Sequence, residues 1–114
     1  MPEACIFCRI AAGEIPADKV YEDDEVIVFR DIHPAAPQHL LLIPREHIAT
    51  FNDLLPEHDA RIGRLVRRAG EVAARLGLTG GYRLIGNCQR GAGQEVFHIH
   101  IHLLGGRGFG WPPG

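Results

Sequence analysis

With 114 residues, the chain has the length of one small domain and can bury a single modest core. Hydrophobic residues at 46% and charged residues at 23% are ordinary for a soluble globular protein, and a net charge of −2 gives no basic footprint for nucleic acid or an acidic membrane. No apolar run could span a bilayer, Met1-Pro2-Glu3-Ala4 lacks a secretory pattern, and three cysteines make no disulfide framework, so the expected home is a reducing cytoplasm.

In chain order, residues 5–13 predict a short helix: Ile6 and Ile10 stand four apart on one stripe with Phe7, and Gly13 is a natural stop. Cys5 and Cys8, three apart, share a face of it. Residues 20–22 and 25–29 predict two strands around an acidic turn at Asp23-Asp24, and residues 31–38, with prolines at 34 and 37, a loop. A continuous apolar strand follows over residues 39–43, ended by Pro44. Pro56-Glu57-His58-Asp59 is a helix start, with proline in the first turn and acids where the dipole is positive. Ile62, Leu65, Val66, Ala69, Val72, Ala73 and Leu76 then recur at three- and four-residue steps, an amphipathic helix of about 20 residues. Arg61, Arg64, Arg67, Arg68 and Arg75 crowd it and read first as a solvated face. A fourth strand covers residues 82–87, and Arg90-Gly91-Ala92-Gly93 is a glycine-rich loop.

The stretch from Glu95 to Gly106 alternates strictly: His98, His100 and His102 on one parity, Ile99, Ile101 and Leu103 on the other. That is the period of a half-buried strand, with an apolar face and a row of three imidazoles. At about 3.3 Å per residue the outer two Cα atoms lie roughly 13 Å apart, too far for one zinc to gather all three. The sum is an α+β domain over residues 1–114, five strands and two helices, and short turns between consecutive strands favour an antiparallel sheet. Imidazole is a competent nucleophile near neutral pH, and His100, flanked by the other two, is the natural choice.

His98-Ile99-His100-Ile101-His102-Leu103-Leu104 resembles the His-x-His-x-His-x-x signature of the histidine triad superfamily of nucleotide-binding hydrolases and transferases. Asp31-Ile32-His33-Pro34, the stretch from Pro37 to His47, Gly81-Tyr82-Arg83-Leu84, Asn87 and the closing Trp111-Pro112-Pro113-Gly114 resemble it too, and point to the Hint branch of phosphoramidases. The resemblance implies a five-stranded antiparallel sheet doubled to ten strands in a homodimer. It also implies hydrolysis of a nucleoside 5′-phosphoramidate, purine-preferring, through a nucleotidyl-histidine at His100. His39 and His102 would contact the phosphate, with His102 a candidate proton donor to the amine, and no metal is required for catalysis.

Asn87, Gly93, Val96 and His98 are further nucleotide contacts by the same resemblance, together with Glu95, a departure from the serine of many relatives. Asp31 would hold the ribose, and Ile6, Phe7, Ile10, Phe29 and Ile32 the base; Arg30 stands where relatives often carry histidine. By itself Cys5-x-x-Cys8 is half a zinc signature. Some bacterial relatives complete it with histidines matching His47 and His98, which implies a structural zinc, against the plainer reading of two buried thiols. The alternatives are a dinucleoside polyphosphate hydrolase, a nucleotide-binding interaction protein with weak catalysis, and a metal hydrolase built on His98 and His100.

Overall fold

The apolar runs of the chain make its central strands. In the computed structural model, which describes residues 4–114, the strands are β1 (Lys19–Glu22), β2 (Val26–Arg30), β3 (Gln38–Pro44), β4 (Tyr82–Gly86) and β5 (Ile101–Gly105). The reading of Met1, Pro2 and Glu3 lies outside the described residues. The strands form one antiparallel sheet in the order β1-β2-β3-β5-β4, flanked by α1 (Ile6–Ala11) and α2 (Asp59–Arg75). The α+β class, the five strands and their antiparallel pairing follow the sequence expectation.

β2 and β3 read as unbroken apolar runs because both of their faces are covered. Val26, Val28, Leu40, Leu42, Ile101 and Leu103 meet Leu65, Ala69, Val72 and Ala73 of α2. Ile27, Phe29, Leu41 and Ile43 meet Phe7 and Ile10 of α1 on the other face. Burying one such Leu or Ile side chain contributes about 1.5–3 kcal/mol, so these two layers are the main source of stability.

The long helix is shorter than its sequence pattern. Pro56–His58 is a 3₁₀ turn that leads into α2, and the buried His58 accepts the Leu55 N–H at Nδ1 (2.9 Å). The helix stops at Gly77, whose φ of +73° is the left-handed conformation of a C-terminal cap; Leu78 N–H returns to the Ala73 carbonyl at 3.0 Å. Its arginines are paired within the molecule: Arg64 with Glu25, Arg67 with Glu71, Arg68 with Asp23 and Glu71, and Arg61 with Glu46. Arg75 lies over the Tyr21 ring.

The histidine row departs from expectation. Only His102 lies in a strand, because β5 begins at Ile101 and residues 95–100 are irregular. β3 pairs with β5 no further than Leu42 opposite Ile101, and Pro44, with no N–H, ends that strand. The chain beyond is held by Ile99 N–H on the Ile48 carbonyl (2.7 Å) and by the histidine side chains themselves. The row is not solvated either, since His98 and His100 are buried beneath α1. Alternation reported the faces correctly but not what covers them.

Candidate active site and metal centre

His100 is 7% exposed and its Nδ1 lies 2.8 Å from the His98 carbonyl oxygen. A carbonyl only accepts, so Nδ1 carries the proton and Nε2 presents its lone pair. The Phe7 ring stands edge-on to His100 at 5.2 Å, and the His102 ring lies 5.0 Å from it. Here α1 and the segment leading into β5 converge: the helix supplies the wall, and the alternating chain supplies the spacing.

His102 Nδ1 meets His39 Nε2 at 2.9 Å across the β3–β5 pair. His39 in turn accepts the Ala35 N–H at Nδ1 (3.0 Å) and lies 3.4 Å from Asp31 Oδ2. Asp31 Oδ1 accepts the His33 N–H at 2.8 Å, an Asx turn that fixes the loop between β2 and β3. Burial, then the neighbouring His100 and His39, push the His102 imidazole down to about 4, against a smaller opposing pull from Asp31. Burial likewise lowers His39. Both rings are therefore neutral at pH 7 and act as hydrogen-bonding groups. The row can offer a nucleophilic nitrogen with a neutral N–H donor beside it.

The second cluster joins α1 to the start of this row. Cys5 caps α1, its Sγ accepting the Cys8 N–H at 3.3 Å. Cys5 Sγ lies 3.4 Å from His98 Nδ1, Cys8 Sγ 3.2 Å from His47 Nδ1 and 3.6 Å from His98 Nδ1, and the two Nδ1 atoms are 3.3 Å apart. Tetrahedral zinc with Zn–N near 2.0 Å and Zn–S near 2.3 Å requires N···N of roughly 3.3 Å and N···S of roughly 3.5 Å. These four distances match that spacing, and all four atoms lie within 4.8 Å of one another. His98 Nε2 donates to the Pro44 carbonyl at 2.7 Å, which leaves Nδ1 unprotonated toward the cluster. Burial holds His98 down at about 4, and burial followed by Cys5 holds Cys8 up at about 11, so a cation entering here displaces thiol protons. The residues fit a zinc ion.

The remaining predicted residues divide. Phe7, Ile10 and Phe29 are interior, Ile6 is 45% exposed and Ile32 is 86% exposed. Asn87 and Gly93 adjoin, with the Asn87 amide beside the Gly93 backbone at φ +95°. Glu95 and Val96 line a cavity of ≈ 480 Å³ with Cys5, Ile6 and His47. His98, wholly buried, has one ring nitrogen in the Cys/His cluster and the other on Pro44. Gln94 escaped the sequence reading. It is 2% exposed, donates to the Ala49 and Val96 carbonyls at 2.8 and 3.1 Å, and accepts the Gln89 N–H at 2.8 Å, so it pins the loop carrying Asn87 and Gly93. A polar residue outside any periodic pattern gave no signal.

The HIT domain family matches residues 12–109. Protein HitA of Neisseria gonorrhoeae is 52% identical over 101 residues, covering 89% of this chain and 94% of that protein. The purine nucleoside phosphoramidase of Escherichia coli K12 is 51% identical over 111 residues, covering 96% of this chain and 93% of its own. Among solved structures, the HIT family hydrolase from Legionella pneumophila Philadelphia 1 superposes with a TM-score of 0.95 at 53% identity, covering 96% of this chain and 99% of that one. On sequence and on structure alike, this chain belongs to the HIT domain family.

Proposed function

We propose that this HIT-family hydrolase cleaves purine nucleoside 5′-phosphoramidates to nucleoside monophosphate and amine through a covalent nucleotidyl-His100. One observation carries the reading: His100 is fixed as the Nδ1–H tautomer by the His98 carbonyl, which leaves Nε2 unprotonated, and the His102 ring stands 5.0 Å away. In the first step a bond forms between His100 Nε2 and the α-phosphorus as the P–N bond breaks, and its electron pair leaves on nitrogen, which takes the Nε2 proton of His102. Water then attacks the same phosphorus from the opposite side, returns a proton to His102 and releases His100. His102, neutral and linked to His39, presents its Nε2–H to the phosphoryl group, where charge develops. Asn87 and Gly93 add donors, Asp31 receives the ribose hydroxyls, and the base lies toward Ile6, Ile32 and the apolar wall of Phe7, Ile10 and Phe29. The identity to the phosphoramidase of Escherichia coli supports this substrate class.

Cys5, Cys8, His47 and His98 would hold a structural zinc. Zinc there supplies a cross-link between α1 and the backbone that positions His100, and no Lewis-acid role. A homodimer through β4 completes the proposal. β4 is an edge strand whose Tyr82 (41%) and Leu84 (38%) are exposed, whereas the opposite edge, β1, carries Lys19 and Glu22. Pairing two β4 edges would give ten continuous strands.

Steady-state hydrolysis of adenosine 5′-phosphoramidate beside diadenosine polyphosphate tests the activity, with His100→Ala as control. Turnover of the phosphoramidate, lost in the variant, is expected. Cleavage of the polyphosphate alone would replace this substrate class, and tight binding of adenosine 5′-monophosphate without turnover would leave a nucleotide-binding protein.

A further inference from the structure

The His39 Nε2–H lies between His102 and Asp31, and where it points decides what His102 can do. The Ala35 N–H occupies the lone pair of His39 Nδ1, so the neutral His39 ring carries its proton on Nε2. That N–H is hydrogen-bonded to His102 Nδ1 at 2.9 Å, and the Asp31 carboxylate stands beside it as a competing charge, with Oδ2 3.4 Å from the same nitrogen. When His39 donates to His102, His102 Nδ1 is an acceptor and the His102 proton sits on Nε2, pointed as a donor. When the carboxylate draws the His39 proton instead, His102 Nδ1 is released. The ring can then exchange through solvent to its Nδ1–H tautomer and would set a lone pair against an anionic phosphoryl group.

We propose that the ribose hydroxyls, by engaging the Asp31 carboxylate, turn the His39 N–H onto His102 and thereby fix His102 as a donor to the phosphoryl group. Two hydroxyl donors spread the carboxylate charge and weaken its hold on a third donor. Asp31 and His39 are then positioning residues, and the sugar raises turnover as well as affinity. The fold provides the link. Asp31 N–H is paired to the His39 carbonyl at 3.0 Å, and Asp31 Oδ1 is tied to the His33 N–H, so the carboxylate sits at one address between sugar and relay. This inference rests on the nucleotide-hydrolase reading above. No bond to phosphorus is altered; one N–H changes acceptor.

The test compares kcat and KM for adenosine 5′-phosphoramidate and its 2′,3′-dideoxy analogue in the wild type and in His39→Ala. Loss of a preorganised donor lowers kcat by about 10²–10³, and a partial loss through the tautomer is expected to lower wild-type kcat roughly tenfold for the dideoxy compound. In His39→Ala, kcat falls for both compounds and the sugar's effect on it shrinks to about twofold or less, while its effect on KM persists. A sugar effect confined to KM in the wild type, or an undiminished kcat effect in His39→Ala, overturns the proposal. ¹⁵N shifts of the two rings in wild-type protein give a readout independent of turnover and of the variant's folding. With adenosine 5′-monophosphate, His102 is expected as the Nε2–H form, and with the dideoxy monophosphate as a mixture. Identical His102 tautomers in the two complexes refute the relay. A wild type that hydrolyses no phosphoramidate sinks the hydrolase reading instead, and the ¹⁵N comparison then decides the relay alone.

Discussion

His98 and His100 show how neighbouring residues of one type are given different chemistry by their hydrogen bonds. His98 uses Nδ1 in the Cys/His cluster and Nε2 on Pro44, whereas His100 uses only Nδ1 and keeps Nε2 available. His100→Ala is therefore expected to lower kcat by about 10³-fold or more with nucleotide binding retained, checked by single-turnover kinetics beside calorimetry with adenosine 5′-monophosphate. His102 carries a pH prediction. Its folded pKa is pushed down to about 4, below the ordinary histidine value near 6.5, so on acidification the unfolded chain takes the proton first. Its contribution to stability is whole above about pH 6.5 and is lost as pH falls toward 4. Following the His102 ring by NMR should show it uncharged from pH 8 to 5; a midpoint near 6.5 would refute the assignment. The histidine signature was legible in the sequence. The Ala35 and His98 main-chain groups that choose the tautomers were not, because they are brought to the rings by the fold.

At the scale of elements, α1 is six residues, too short to persist alone, and rests on its apolar face and the cysteines at its start. Cys8→Ser should abolish stoichiometric zinc, measured by elemental analysis, and lower the melting temperature. Zinc uptake by the wild type should release protons and weaken at low pH, because zinc binds cysteine as the thiolate. Retention of one zinc per chain by Cys8→Ser would remove the proposed site. The turn between β1 and β2 provides the second prediction. Asp23 accepts the Glu25 and Val26 N–H groups at 2.8 Å each, Tyr21 Oη at 2.7 Å and Arg68 Nε at 3.0 Å, tying the turn to α2. Burial pushes this carboxyl up, but Tyr21, the Glu25 amide and Arg68 outweigh it and hold the group well below the carboxylate range. Asp23 thus stabilises the fold above about pH 4 and stops doing so as pH falls below. Asp23→Asn should cost about 1–3 kcal/mol in urea unfolding at pH 7, with the difference shrinking in acid. The turn itself was foreseen from Asp23-Asp24. Its partner Arg68 was read as solvated, since helical periodicity cannot show which acids face a helix from another element.

For the whole molecule, the sheet's two edges differ in character. β1 is charged, and β4 exposes Tyr82 and Leu84. Leu84→Arg is expected to shift a dimer to monomer by sedimentation velocity, with the monomer's secondary structure intact. A wild type that sediments as a monomer at all concentrations would end the dimer proposal. Among the described residues no helix is long and apolar enough to cross a membrane.

The sequence by itself determined the periods and the punctuation. Apolar runs specified β2 and β3, a 3.6-residue stripe specified α2, prolines and glycines marked the loops, and three alternating histidines marked the site. Those signals are local, carried by spacing along one chain segment. Tertiary structure decided what each face meets. It began β5 at Ile101, where the β3–β5 ladder ends opposite Leu42, and it placed α1 over the histidines. It also brought Cys5, Cys8, His47 and His98, spread over 94 positions of sequence (5 to 98), within zinc-binding distance. Residues so far apart meet only because α1, the segment after β3 and the segment before β5 pack together, and no periodicity records the packing of distant segments.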